Sequence, residues 1–117
     1  MITFGQDLPS QQQVTLTVDK VTRLLQMAKD RWDSLGNHES LKLQISTSIH
    51  QGLVWVSNMG QFHGTTPHVA LALLGNTPTG QVTISESVRE KLSSQYAVTP
   101  VSQTGMTMDD KAFLLDI

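Results

Sequence analysis

The sequence predicts one α+β domain, on three observations. Helical periodicity runs through residues 17–35, an apolar alternation marks strands between residues 41 and 58, and a strand passes directly into a helix near residue 85. The size agrees, since 117 residues with 38% hydrophobic content can bury the core of one small domain and not of two. No linker long enough to separate domains interrupts the pattern.

Taken in order, Ile2 to Phe4 is a short apolar start, and Gly5 to Gln13 is turn-like and Gln-rich, with Pro9 and Ser10 arguing against regular structure. From Thr17, the positions Val18, Val21, Leu24, Leu25, Ala28, Trp32 and Leu35 recur at helical spacing. Asp19 falls in the first turn and Gly36 follows the last apolar position, which predicts an amphipathic helix. Leu41, Leu43 and Ile45 alternate with Lys42 and Gln44, and Leu53 to Val56 follows Gln51-Gly52; together they predict a hairpin with strands near 41–49 and 53–58.

Thr65 or Thr66 then serves as a cap, Pro67 sits where a first helical residue tolerates a missing N–H, and Gly75 is a stop, so the apolar Val69 to Leu74 predicts a short buried helix. Asn76 to Gly80 is turn material and Val82 to Ile84 a short strand. Ser85 and Glu86 open another helix, with Val88 and Leu92 facing inward. Phe113 to Ile117 is the last strand. Val14-Thr15-Leu16-Thr17 resembles Val82-Thr83-Ile84-Ser85 only as two strand-into-helix starts do, and no repeat is inferred.

Charge narrows the function classes. Eight basic residues against ten acidic ones, with no Lys/Arg cluster, leave nothing to neutralise successive phosphates, so neither nucleic acid nor an anionic membrane is an expected partner. There is no cysteine, hence no disulfide framework and no thiolate metal site. Met1 to Ser10 lacks the basic start and apolar core of a signal peptide, and no run approaches transmembrane length, so a cytoplasmic location is expected.

Several motifs then fall in a recognisable order. The run Gly64-Thr65-Thr66-Pro67-His68-Val69-Ala70-Leu71-Ala72-Leu73 resembles the G-D-T-V-N-L-A-A-R-L of class III adenylate and guanylate cyclases. Gly80-Gln81-Val82-Thr83-Ile84-Ser85-Glu86-Ser87-Val88 is similar to that family's G-Q-V-L-V-S-E-A-V, the most specific of the matches. Phe4-Gly5 and Leu8-Pro9 resemble its strand ending and Pro turn. Leu41, Ile49-His50, Gly52, Val54 and Gly60 match its hairpin if one extra residue is allowed before His50. The resemblance implies a ferredoxin-like, cyclase-like antiparallel sheet with helices on one face, truncated by its N-terminal half.

The same resemblance implies a degenerate site. In the family the Asn and Arg of the matched helix face the nucleotide, and the Arg stabilises charge on the transferring phosphoryl group; here those positions are His68 and Ala72. The residue aligned with the purine-selecting Asp or Thr is Gln61. The family's pair of metal-binding Asp residues belongs to the upstream half, and Asp7, beside a Pro turn, does not replace it. Two-metal phosphoryl chemistry needs such carboxylates, and a methyl group at position 72 cannot stabilise developing charge. No catalytic residue, metal or cofactor is therefore expected.

Other polar groups have plainer roles. His38, His50, His63 and His68 lack the spacing of a helical zinc motif, and His50 matches a scaffold position of the family. Without a G-x-S-x-G elbow, the presence of Ser, His and Asp does not indicate a triad. Gly75 to Gly80 lacks the Lys-Ser/Thr ending of a phosphate loop. Asp109-Asp110 reads as a solvated turn, and Trp32 and Trp55 as core residues of a helix and a strand. Met27, Met59, Met106 and Met108 form no stripe.

A sheet that lacks its opening strand leaves an edge to be paired. A second copy about a two-fold axis closes such an edge without building fibres. The expectation is an inactive, cyclase-like module in signalling, forming a homodimer or binding a protein partner through an exposed sheet edge. Two alternatives are a half-domain cyclase subunit completed by another chain, and a nucleotide or small-molecule sensor.

Overall fold

A computed structural model describes residues 8–36, 44–92, 96–101 and 112–116 of the chain. The first element is α1, Ser10–Ser34. It contains the periodic positions from Val18 to Trp32, but it starts earlier than the pattern predicts. Pro9 is the N-cap, where its missing N–H lies outside the helical ladder, and the Gln13 N–H donates to Pro9 O at 2.9 Å. The Gln-rich run read as irregular is thus the first turn of α1, since Gln is a good helix former once a start is fixed. Val14-Thr15-Leu16-Thr17 is helical too, with Val14 and Val18 buried.

The remaining elements are Thr47–Ile49 (β1), Trp55–Val56 (β2), Phe62–His63 (β3), Thr65–Gly75 (α2), Val82–Ser85 (β4), Glu86–Lys91 (α3), Val98–Val101 (β5) and Ala112–Leu115 (β6). Four strands form one sheet in the order β1-β4-β6-β5, and β2 pairs only with β3. The α+β class is as expected, but the sheet is mixed: β1 runs parallel to β4, while β4–β6 and β5–β6 are antiparallel.

The hairpin predicted between residues 41–49 and 53–58 does not form from those two strands; residues 41–43 lie outside the described part. At Gln51 the chain is held rather than turned back. The Gln51 side-chain amide donates to Gln13 Oε1 at 2.7 Å and to Ser10 O at 3.1 Å. The Gln51 side-chain Oε1 accepts from Lys91 Nζ at 2.7 Å, and its backbone carbonyl accepts from Ser87 Oγ at 3.2 Å. The chain then leaves the sheet, and β1 takes β4 as its neighbour. The hairpin that does form joins β2 to β3. Its turn closes through Gly60 N–H to Ser57 O and Ser57 N–H to Gln61 O, both 2.9 Å. Gly60 has φ +79°, the left-handed residue that a three-residue hairpin loop requires.

Strand β4 is buried at every position, so both faces of the sheet are covered. Alternation sends Val82 and Ile84 to one face, where they pack with Val14, Val18, Ile49, Val88, Phe113 and Leu115. That is the core, roofed by α1 and α3. Thr83 points to the other face with Ser48, its neighbour in register. There Ser48 Oγ donates to Ala70 O at 2.7 Å, and Thr77 Oγ1 donates to Thr83 Oγ1 at 3.0 Å, which fastens α2 to this side. Helices therefore lie on both faces, α2 opposite α1 and α3, because β1, β4 and the hydroxyl row between them supply a second packing surface.

Candidate functional site

The predicted site positions fall on two connected elements. His68, Leu71, Ala72 and Gly75 are exposed, and their spacing places them on one face of α2, the side turned away from buried Leu73. The structure thus brings His68 and Ala72 together on an open helix surface. Gln61 sits apart in the β2–β3 turn, where its N–H also donates to Ser57 Oγ at 3.2 Å. The helix predicted to be buried has Leu73 as its one fully buried residue among eleven, since the sheet covers a single side of it.

Helix α2 and the hairpin are tied together. Strand β3 packs against α2, and Thr66 Oγ1 donates to Leu53 O at 2.7 Å. The hairpin and the chain leading into it carry large apolar side chains in the open: Leu53, two residues before β2, is 94% exposed, Met59 87% and Trp55 64%. Trp55 is therefore not the core residue its strand position predicts. Its ring instead stacks on His63, with centroids 4.4 Å apart and an interplanar angle of 21°. Met27 is also exposed, but on α1.

This region has a signature in the sequence that the motifs obscure. From Leu43 to Ser85, more than a third of the chain, there is no Asp, Glu, Lys or Arg. Part of this stretch is buried, including β4, Ile49 and Leu73, but its exposed part carries Leu53, Trp55 and Met59 in the open with no charged residue of its own.

A second cluster lies at the carboxyl ends of the parallel strands β1 and β4. His50 Nδ1 and Ser85 Oγ share a 2.8 Å hydrogen bond, and Ser85 Oγ and Ser87 Oγ share another of 3.0 Å. Together with the bonds of Gln51, this network joins β1, β4, α1 and α3. Ser85 is buried within it, so the Ser–His pair cross-links the fold and does not present a nucleophile to solvent. His50 is held in this network rather than at the turn of the hairpin that its sequence position predicts. The partners are more than thirty residues apart in sequence, and no local pattern marks them.

Among the described residues, no group of three His, Asp or Glu side chains is arranged to hold a metal ion. His50, His63 and His68 lie in that part; His38, Asp7, Asp109-Asp110, Met106 and Met108 lie outside it. No helix among the described residues is long and apolar enough to cross a membrane. The sheet edges are β1, of three residues, and β5, which carries Pro100. Neither protein-family models nor curated proteins give a match to this chain.

Proposed function

We propose that this chain is a catalytically inactive, cyclase-homology module that works by associating with another polypeptide. The reading rests on the order of cyclase-like motifs in the sequence. The observation that carries the loss of catalysis is the open face of α2. Where the resemblance asks for an Asn and an Arg toward a triphosphate, this face has His68 and Ala72 with Leu71 between them.

A phosphoryl group developing charge needs cations or aligned donors near it. Helix α2 has no charged residue at all. An exposed, uncharged face of this composition is instead suited to apolar contact with protein. The half-domain and sensor alternatives draw no support from this face, which holds neither cation nor carboxylate.

The test is a cyclase assay on the purified chain with manganese and ATP or GTP. The expected result is no cyclic nucleotide above the level of a blank. Turnover by the chain alone would overturn the reading.

A further inference from the structure

We infer that the outer face of α1, from Lys20 to Leu35, is a docking site for an acidic amphipathic helix of a partner protein. The inference rests on the reading of the chain as an association module and names a surface and the chemistry of its partner.

The placement of α1 supplies the first reason. Its fully buried residues, Val14 and Val18, lie in its first half, and among the described residues no side chain of α1 past Leu25 packs against the core. The helix nevertheless continues to Ser34. On the side turned away from Val18, the residues Lys20, Leu24, Met27, Arg31 and Leu35 are all exposed. At 3.6 residues per turn they fall within an arc of about 80° and span about 22 Å along the axis. The apolar members are well open, Leu24 at 48%, Met27 at 65% and Leu35 at 56%. From Lys20 to Arg31 the steps of four, three and four positions are those of a seam against which a second helix packs.

Charge selects the occupant. Arg23, also exposed, borders the arc beside Lys20 and Met27, so three cations flank the apolar residues. None of the acids of α1 lies in the arc. Asp19 accepts from the Tyr96 hydroxyl, and Asp30 accepts from the Gln26 side-chain amide at 2.9 Å. Among the described residues, no carboxylate pairs with Lys20, Arg23 or Arg31. This local excess of cations stands out in a chain whose net charge is -2. A helix with Asp or Glu beside its own apolar stripe meets these cations at the rim of the contact, while their stems extend its apolar surface.

Other occupants fit less well. A second copy in parallel would set Lys20 and Arg31 against themselves, and one in antiparallel order about Met27 would set Arg23 against Arg31. A phosphate backbone would meet Leu and Met between the cations. An anionic bilayer gains little from a helix with four cations against three acids, whose one aromatic residue, Trp32, is half-buried.

The test titrates the full chain into two fluorescein-labelled helical peptides of about sixteen residues, the length of the arc. They share one Leu seam and carry either Glu or Lys beside it. By fluorescence anisotropy the acidic peptide is expected to bind at least about tenfold more tightly, with a preference that weakens as salt is raised. Lys20→Glu combined with Arg31→Glu is expected to reverse the preference, which loss of folding would not do. Met27→Ala keeps a good helix former and is expected to weaken the acidic peptide about fivefold or more.

Equal binding of the two peptides, binding of neither, or a preference unchanged by the double reversal would overturn the inference. So would flotation of the chain with phosphatidylserine vesicles that the double reversal abolishes, which would assign the face to a membrane. Self-association lost in Met27→Ala would overturn it too, by assigning the face to a second copy. Any of these leaves the inactive-module reading standing, because that reading falls only on cyclase turnover.

Discussion

Gly52→Ala offers a sharp test of how the hairpin is attached. Gly52 is outside the left-handed region, so its backbone accepts a side chain without conformational strain. The space does not: a methyl group there would overlap Thr66 Oγ1 and press on Thr66 Cγ2 at 3.3 Å. Thr66 would have to rotate, losing its 2.7 Å bond to Leu53 O. That loss costs about 1 kcal/mol, and a less favoured rotamer of a β-branched side chain costs about as much again. Restricting the unfolded chain offsets about 0.7 kcal/mol, leaving a net destabilisation of about 1 kcal/mol.

The sign should reverse once Thr66 is shortened. In a Thr66→Ala background the obstructing atoms are gone, and the remaining Cβ, 3.4 Å away, is in ordinary contact. Gly52→Ala should then stabilise by about 0.7 kcal/mol, a coupling of about 2 kcal/mol between the two sites. Urea unfolding of the four proteins measures the cycle. Additive effects, or destabilisation of the same size in both backgrounds, would refute the proposed contact.

Two further substitutions probe the core and its tether. Ile84 is fully buried between Ile49 and Phe113 in register, so Ile84→Ala should cost about 3 kcal/mol in urea unfolding; a loss under 1 kcal/mol would mean the site collapses freely. Tyr96 donates its hydroxyl proton to Asp19 Oδ1, joining α1 to the chain entering β5. Tyr96→Phe should lower stability by about 1.5 kcal/mol through loss of a charge-assisted bond, and an unchanged midpoint would remove that tether from the account.

Much of the architecture is legible in the sequence because it is written locally. The spacing from Val18 to Trp32 yields α1, and Ser85-Glu86 marks the change from β4 to α3. Thr65-Thr66-Pro67 marks the start of α2 to within two residues, but neither Thr is the cap: the helix begins at Thr65 with Gly64 as N-cap and no side-chain cap bond, and the Thr66 hydroxyl donates to Leu53 O. What is not legible depends on distant partners. Gln51-Gly52 looks like a hairpin turn until Gln13, Ser87 and Lys91 hold Gln51 in place. Strand β5 is hidden by Pro100, tolerated because β5 is the outer strand. The apolar run of α2 predicts burial, yet the sheet covers one side only, and Leu71 and Leu74 remain open.

The candidate site divides in the same way. His68 and Ala72 share a helix face, as residues four apart must. The His50–Ser85 bond has no sequence signal, since it depends on the parallel pairing of β1 with β4. The charge-free stretch from Leu43 to Ser85 was visible throughout, but it identifies a surface only once Leu53, Trp55 and Met59 are seen to lie outside the core.

The central claim, an association module without nucleotide chemistry, is tested most directly by light scattering of the purified chain across a dilution series. Each dilution is measured with and without manganese and nucleotide. The account predicts, at each dilution, a mass that is the same with and without them. A mass that depends on manganese and nucleotide would contradict it.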